Sequence, residues 1–377
     1  MNAAPLIPRR AVLKGAAVLG GAALLVACGS NTTAATTTKP RGITITDQRG
    51  KTLVFDGPVT RIVTLPMPAA SLVVAVDKSA QHLVGMHNAS WTAMRDGVMG
   101  QMFPAALSVP HDIASPAFVP NVESVLALRP DVVVQWADEG TGIIAPLESA
   151  GLTVAGVTYG TQEDVNTWLT MFATMLGKPE RATEMIAQSD TALQQAKAAA
   201  PHGSAAPKVL YFNRFAGGLK VAGPNTYNDS YITLVGATNP AAGPAGAHGT
   251  GMVGVDVEQV LAWNPDIILL GNFDQAMPDD VYNDKVWQGM SAVRSRRVYK
   301  VPLGGYRWDP PAQEAPLMWK WLSCIAFPAA NGTALRSQIV TDYQFLYGYR
   351  PSNTQLDTIL WMNANRSSAN YQQFDAA

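Results

Sequence analysis

Residues 121–134 read NVESVLALRPDVVV, and residues 256–269 read DVEQVLAWNPDIIL. In register, Val122 and Val257, Glu123 and Glu258, Val125 and Val260, Leu126 and Leu261, Ala127 and Ala262, Pro130 and Pro265, and Asp131 and Asp266 are the same residue. Each copy predicts a short helix whose apolar stripe is Val, Val and Leu. The helix stops at an Arg or Asn before proline, a position excluded from the α region. An aspartate and a run of β-branched residues follow, the pattern of a strand buried on both faces. The copies lie much further apart than the roughly 20–50 residues of a solenoid repeat. They predict two lobes of similar design.

The 377 residues are enough for two ordinary domains. Charged residues make up 15% and the net charge is −1, which gives no electrostatic case for binding nucleic acid. Gly (32) and Pro (26) are abundant enough for many short connections, and two cysteines make no disulfide framework.

The amino terminus reads as an address. Pro8-Arg9-Arg10-Ala11-Val12-Leu13-Lys14 matches a twin-arginine export pattern, and the apolar run at 15–27 is too short to span a bilayer. It ends Leu25-Val26-Ala27-Cys28, which looks like a lipobox in which Cys28 becomes the lipid-bearing amino terminus. Residues 1–28 are therefore expected to be a signal, and residues 29–42 a flexible tether. The protein would then be exported and lipid-anchored, facing the periplasm or the cell exterior. Cys324, in a helical stretch, reads as a small buried hydrophobe.

Residues 43–160 predict the first lobe: a hairpin, then strands at 61–65, 83–86, 132–136 and 152–157 alternating with helices. That alternation indicates a mostly parallel sheet with helices on both faces. Residues 87–94 are expected to form a loop. Residues 161–200 predict connecting helices. The second of these, from Pro179, would run roughly 30 Å, the width of a lobe. Residues 207–377 predict the second lobe, with a loop over 240–254 and helices in the tail. The fold class is thus α/β, with two lobes joined by a single long helix.

In such sheets ligands sit beyond the carboxyl ends of the strands. Pro66, Met67, His87, Trp91, Arg95, Trp136 and Tyr159 fall there in the first lobe. Arg214, Phe215, Tyr227, Asn272, Tyr306, Arg307 and Trp308 fall there in the second. Arginine beside aromatic rings suits an anionic or π-rich ligand, because guanidinium gives paired hydrogen bonds while rings supply apolar area. For each aromatic, plain packing is the competing reading, and for each arginine a surface ion pair.

Taken together, the lipobox, RIVTL, NVESVLALRPDVVV, LGKPERATEMI, PKVLYF, LVGATN, DVEQVLAWNPDIILLGN and WQGMSAVRSRRVYKVP resemble the periplasmic-binding-protein family. Its members are the solute receptors of ABC importers for ferric siderophores, haem and cobalamin. The resemblance runs in order through nearly the whole mature chain. It implies two Rossmann-like lobes joined by a single long helix with the ligand cleft between them, and a monomeric receptor that captures a ferric siderophore or similar chelate and delivers it to a dimeric permease with its ATPase. It also implies that Glu123 and Glu258, one per lobe, meet arginines of the permease. The competing reading is that both merely favour the first helical turn.

Three other readings compete. A free-metal receptor needs clustered His and carboxylates, whereas His82, His87, His111, His202 and His248 are scattered, so no protein metal site and no cofactor is expected. Haem, cobalamin or an oxyanion such as molybdate remain alternatives to the siderophore. An exported enzyme is the different-class alternative, but the chain holds no Gly-x-Ser-x-Gly elbow, no His-Glu-x-x-His and no P-loop.

Overall fold

The computed structural model describes residues 42–201, 206–243, 246, 251–328 and 334–376. The expectations for the signal, for Cys28 and for the tether up to 41 lie outside these residues, as do His202 and His248.

Strands β1 (Ile43–Thr46) and β2 (Thr52–Phe55) form an antiparallel hairpin. Strands β3 (Ile62–Thr64), β4 (Leu83–Met86), β5 (Val132–Trp136) and β6 (Val154–Val157) form one sheet in the order β4-β3-β5-β6, all parallel. The chain reverses its direction of winding at β3, so the carboxyl ends of β3 and β5 flank a crevice where ligands of open α/β sheets bind. The second sheet holds β7 (Val209–Arg214), β8 (Lys220–Ala222), β9 (Met252–Gly254), β10 (Ile267–Leu270) and β11 (Val298–Lys300) in the order β11-β10-β7-β8-β9.

Two expected loops fail here, and the second lobe departs from an all-parallel sheet. Strand β8 runs antiparallel to both β7 and β9, so the second sheet is mixed. The turn that reverses the chain is Gly217-Gly218, at φ 73° and 121°, conformations that L side chains rarely adopt. The expected loop over 240–254 accordingly contains a 3₁₀ turn (Pro240–Ala242) and strand β9. The expected loop over 87–94 is a helix, Asn88–Asp96, capped by His87.

The repeat is a structural device used twice. Its helices, Val122–Ala127 and Val257–Trp263, begin at Asn121 and Asp256, whose side chains accept from Ser124 N (3.1 Å) and Gln259 N (2.7 Å). Both copies leave the helix through a left-handed residue before proline, Arg129 at φ 46° and Asn264 at φ 45°. Asp131 N then donates to Arg61 O (2.8 Å), and Asp266 N to Lys208 O (2.9 Å). The aspartate side chains return the bond, Oδ2 accepting from Arg61 N (2.9 Å) and from Lys208 N (2.9 Å). Finally the Arg61 side chain donates to Leu128 O and Arg129 O, and Lys208 Nζ to Trp263 O, covering orphan helix carbonyls. Each Pro-Asp step thus locks a central strand to its neighbour. Glu123 and Glu258 take no part: both are exposed, with no hydrogen bond or ion pair among the described residues.

The lobes share a core. The connecting helix Pro179–Ala199 packs against Gln162–Met175 on one side and Ala315–Ala326 on the other. The tail helix Leu335–Tyr347 reaches the first-lobe helix Ala69–Asp77. One continuous cluster of buried residues runs from Ile45 to Phe374 through this helical layer. Arg181 pins the joint, its Nη2 donating to Phe345 O (2.7 Å) and its guanidinium lying 4.4 Å over the Phe345 ring. A single packed helix backed by shared core is a stiff connection.

Candidate functional site

Where the strand ends of the two lobes meet, four side chains from distant segments converge. Tyr159 follows β6, Tyr227 opens the helix Tyr227–Leu234, and Tyr306 and Arg307 follow β11. Burial first, then the neighbouring Tyr306, Tyr227 and Asp309, hold the Tyr159 phenol well above its ordinary pKa, while Arg307 acts the other way. The lobes touch here. Tyr159 OH donates to Pro311 O, Val98 N donates to Gly304 O (3.0 Å), and Met67 packs with Ala93, Tyr306 and Ala312.

Arg307 is the charged centre. It is 8% exposed, and its guanidinium lies 4.8 Å from the Phe273 ring and 5.6 Å from that of Tyr306. Its bonds to carbonyls are long, Nε to Asn272 O (3.3 Å) and Nη1 to Ala89 O (3.4 Å), and it also hydrogen-bonds the Tyr306 side chain. Nearby Asp309 is committed elsewhere. Its carboxylate accepts from Tyr211 OH (2.7 Å), Asn272 N (3.1 Å) and Asn272 Nδ2 (3.0 Å). A buried guanidinium without a carboxylate partner carries an unmet demand for an anion.

The helix that replaces the expected 87–94 loop sorts the first-lobe candidates. At 100° per residue, Ala89, Ala93 and Gly97 share one face, and that face meets the 303–307 segment. Gly97 is needed there, because a Cβ would come within 2.3 Å of Gly304 O. Trp91 and Arg95 lie on the other side. Trp91 Nε1 donates to Leu107 O (3.0 Å), its ring stacks on His111 at 4.2 Å, and exposed Arg95 pairs with Asp96 at 2.7 Å. His87 is buried, Nδ1 accepting from Ala89 N (3.0 Å) and Nε2 lying 2.9 Å from Ser115 O; burial lowers its pKa, so the ring is neutral.

Other candidates are also drawn elsewhere. Trp136 is buried in a ring cluster with Phe118, Tyr159 and Trp168. Trp308 is fully buried, its indole donating to Glu314 Oε2 (2.6 Å). Phe215 packs on Phe212 and Trp287. Arg214 is exposed on the β7–β8 hairpin, beside Lys220, Asp256 and Gln259 in a depression of about 800 Å³. Asn272 braces the cleft with Nδ2 bonds to Val301 O (3.1 Å) and Pro302 O (3.0 Å). The sequence reading passed over Phe273, Asp309, Pro311 and Glu314. Asp309 directly follows the candidates Tyr306, Arg307 and Trp308, while the role of Glu314 carried no local signal.

Among the described residues no group of three or more His, Cys, Asp or Glu is arranged to hold a metal ion. The convergent chemistry is a buried cation with phenol and aliphatic walls, which suits binding an anionic solute.

Residues 118–303 match the periplasmic binding protein family. The molybdate-binding protein MolA of Haemophilus influenzae is 24% identical over 335 residues, covering 82% of this chain and 92% of MolA. The iron(3+)-hydroxamate-binding protein FhuD of Bacillus subtilis is 27% identical over 206 residues, covering 52% of this chain and 64% of FhuD. Among solved structures, a periplasmic solute binding protein from Veillonella parvula superposes with a TM-score of 0.77 at 33% identity, over 86% of this chain and 98% of that one. MolA bound to molybdate superposes with a TM-score of 0.70 at 21% identity, over 82% and 99%. With two α/β lobes joined by one connecting helix, the chain belongs to the periplasmic binding protein family of solute-binding proteins.

Proposed function

We propose that the protein is the extracytoplasmic receptor of an ABC importer and captures a ferric siderophore or similar metal chelate between its lobes. The observation that carries the reading is Arg307, a nearly buried guanidinium at the meeting of the strand ends with no carboxylate partner among the described residues. An anionic chelate supplies the missing charge, while Tyr159, Tyr227, Tyr306 and Met67 supply ring and thioether surface. FhuD and the Fe(3+)-citrate-binding protein YfmC are relatives named for ferric solutes. The protein acts by holding and releasing its solute, with no cofactor of its own.

A second reading has its own support. Trp136 and Trp308 are occupied in the core, so less aromatic surface faces the cleft than the sequence suggested. A compact oxyanion such as molybdate would satisfy Arg307 with less room, and MolA is named for it. Haem is represented among the structural neighbours by BhuT, and cobalamin stays in the panel as a chelate of comparable bulk.

Delivery completes the proposal. Glu123 and Glu258 are exposed, free of described partners and repeated once per lobe, which fits docking on a two-fold permease. Cys28 would tether the monomer to the membrane after twin-arginine export. Purified protein titrated with ferric hydroxamate and catecholate chelates, ferric citrate, haemin, cobalamin and molybdate, followed by tryptophan fluorescence and calorimetry, tests the solute class. Saturable binding of one class, weakened in Arg307→Ala, is expected. Silence toward the whole panel would overturn the reading.

A further inference from the structure

We propose that Glu314 is the positioning residue of the cleft: its carboxylate is the shared acceptor that holds the 303–309 loop so that Tyr306 and Arg307 stand between the lobes. The consequence for solute binding rests on the reading of Arg307 above, whereas the geometry stands by itself.

The loop is short and tight. Leu303 bridges Arg307, Gly304 N donates to Tyr306 O (3.0 Å), and Leu303 N donates to Ile359 O (2.9 Å). Glu314 lies beneath it with no exposure and only neutral partners. Oε1 accepts from Gly305 N (2.9 Å) and from Tyr347 OH; Oε2 accepts from Trp308 Nε1 (2.6 Å) and Tyr343 OH (3.0 Å). The carboxylate therefore grips the loop on both sides of Tyr306–Arg307 and ties it to the tail helix Leu335–Tyr347. Gly304 and Gly305 make the approach possible, because a Cβ would stand 2.0 Å from Oε2 at the first and 2.6 Å from Oε1 at the second.

The arrangement calls for an acceptor at both oxygens. Gly305 N–H and the Trp308 indole N–H can only donate, and each addresses a different oxygen. A glutamine at 314 must turn its NH₂ toward one of them: toward Trp308 it leaves the indole N–H opposed and unsatisfied, and toward Gly305 it leaves that N–H the Tyr343 hydroxyl as its remaining acceptor. The tyrosines differ, since their hydroxyls can rotate. Tyr343 OH also accepts from Gly305 N (2.9 Å), and Tyr347 OH from Gln313 Nε2 (2.9 Å).

Amide hydrogen exchange of the purified, solute-free protein tests this. Glu314→Gln should speed exchange across 303–309 by about tenfold, the equivalent of one lost bond to a charged group, with 209–214 and 267–270 unchanged. Tyr343→Phe, which leaves both donor-only groups satisfied, should stay near wild type. Adding Trp308→Phe to Glu314→Gln removes the opposed donor and should restore most of the protection. If Glu314→Gln alone does not fold, the double variant decides: recovery supports the proposal and equal failure overturns it. Unchanged loop exchange in Glu314→Gln, or an equal rise throughout the sheets, also overturns it. Molybdate and ferric citrate are titrated in parallel; a probe that binds wild type should bind Glu314→Gln about tenfold more weakly, and full affinity overturns the proposal. If wild type binds neither probe, that failure belongs to the proposed solute class, and the exchange data alone judge Glu314.

Discussion

Glu314 also makes the stability of the protein depend on pH in a way that can be worked out. Burial pushes its carboxyl up from 4.5 to about 7 against the four hydrogen bonds that favour the anion. A raised folded pKa stabilises the fold below the unfolded value and loses that contribution as pH rises through the folded one. The shift corresponds to about 3 kcal/mol in full. Between about pH 5.5 and 8.5, integration of the two titrations leaves about 2 kcal/mol to be lost. Replacing Glu314 by Gln removes this slope while adding a constant offset from the opposed donor. Asp342, pushed up to about 6 by burial against bonds from Gln338 and Gln188, titrates in both proteins and cancels in the difference. Urea unfolding followed by circular dichroism at three pH values gives the two stability curves. Wild type should lose about 2 kcal/mol relative to Glu314→Gln across the range. Parallel curves, within about 0.5 kcal/mol, would refute the claim that this carboxyl is held desolvated.

Arg307→Ala should weaken binding of the cognate solute by about 2–3 kcal/mol, roughly a thirtyfold to hundredfold rise in Kd, because an anion is left in the cleft without its charged partner; calorimetry on the purified variant measures it. Charge reversal of both Glu123 and Glu258 to Arg should abolish uptake by cells while solute affinity stays at the wild-type value; unimpaired transport would sink the docking role. Cys28→Ala should release the protein from the membrane fraction and prevent incorporation of labelled fatty acid, and an unchanged membrane fraction would contradict the anchor.

The repeat shows how much of the fold is local. Asn121 and Asp256 cap their helices, Pro130 and Pro265 force the exit, and Asp131 and Asp266 start buried strands within a few residues of each other. Their consequences are therefore written in consecutive letters. The long helix from Pro179 was equally legible from its stripe. The mixed second sheet was harder to read because β8 and β9 are three residues each, too short to show a period, and the reversal hangs on Gly217 and Gly218.

The candidate site divides along the same line. Sequence alone determined that strand ends carry Tyr159, Tyr227, Tyr306 and Arg307, because alternating strands and helices decide where each strand stops. It could not say which of the neighbouring rings and cations share a space. Tertiary structure decided that: one helical turn sends Ala89 and Ala93 toward the second lobe and Trp91 and Arg95 away from it. Trp308 is drawn under the loop by a carboxylate six residues further on. Asp309 is taken up by Tyr211 and Asn272, so Arg307 has no carboxylate partner among the described residues. Which charges cancel depends on contacts between residues as far as 218 positions apart, and that pairing is set by packing rather than by local sequence.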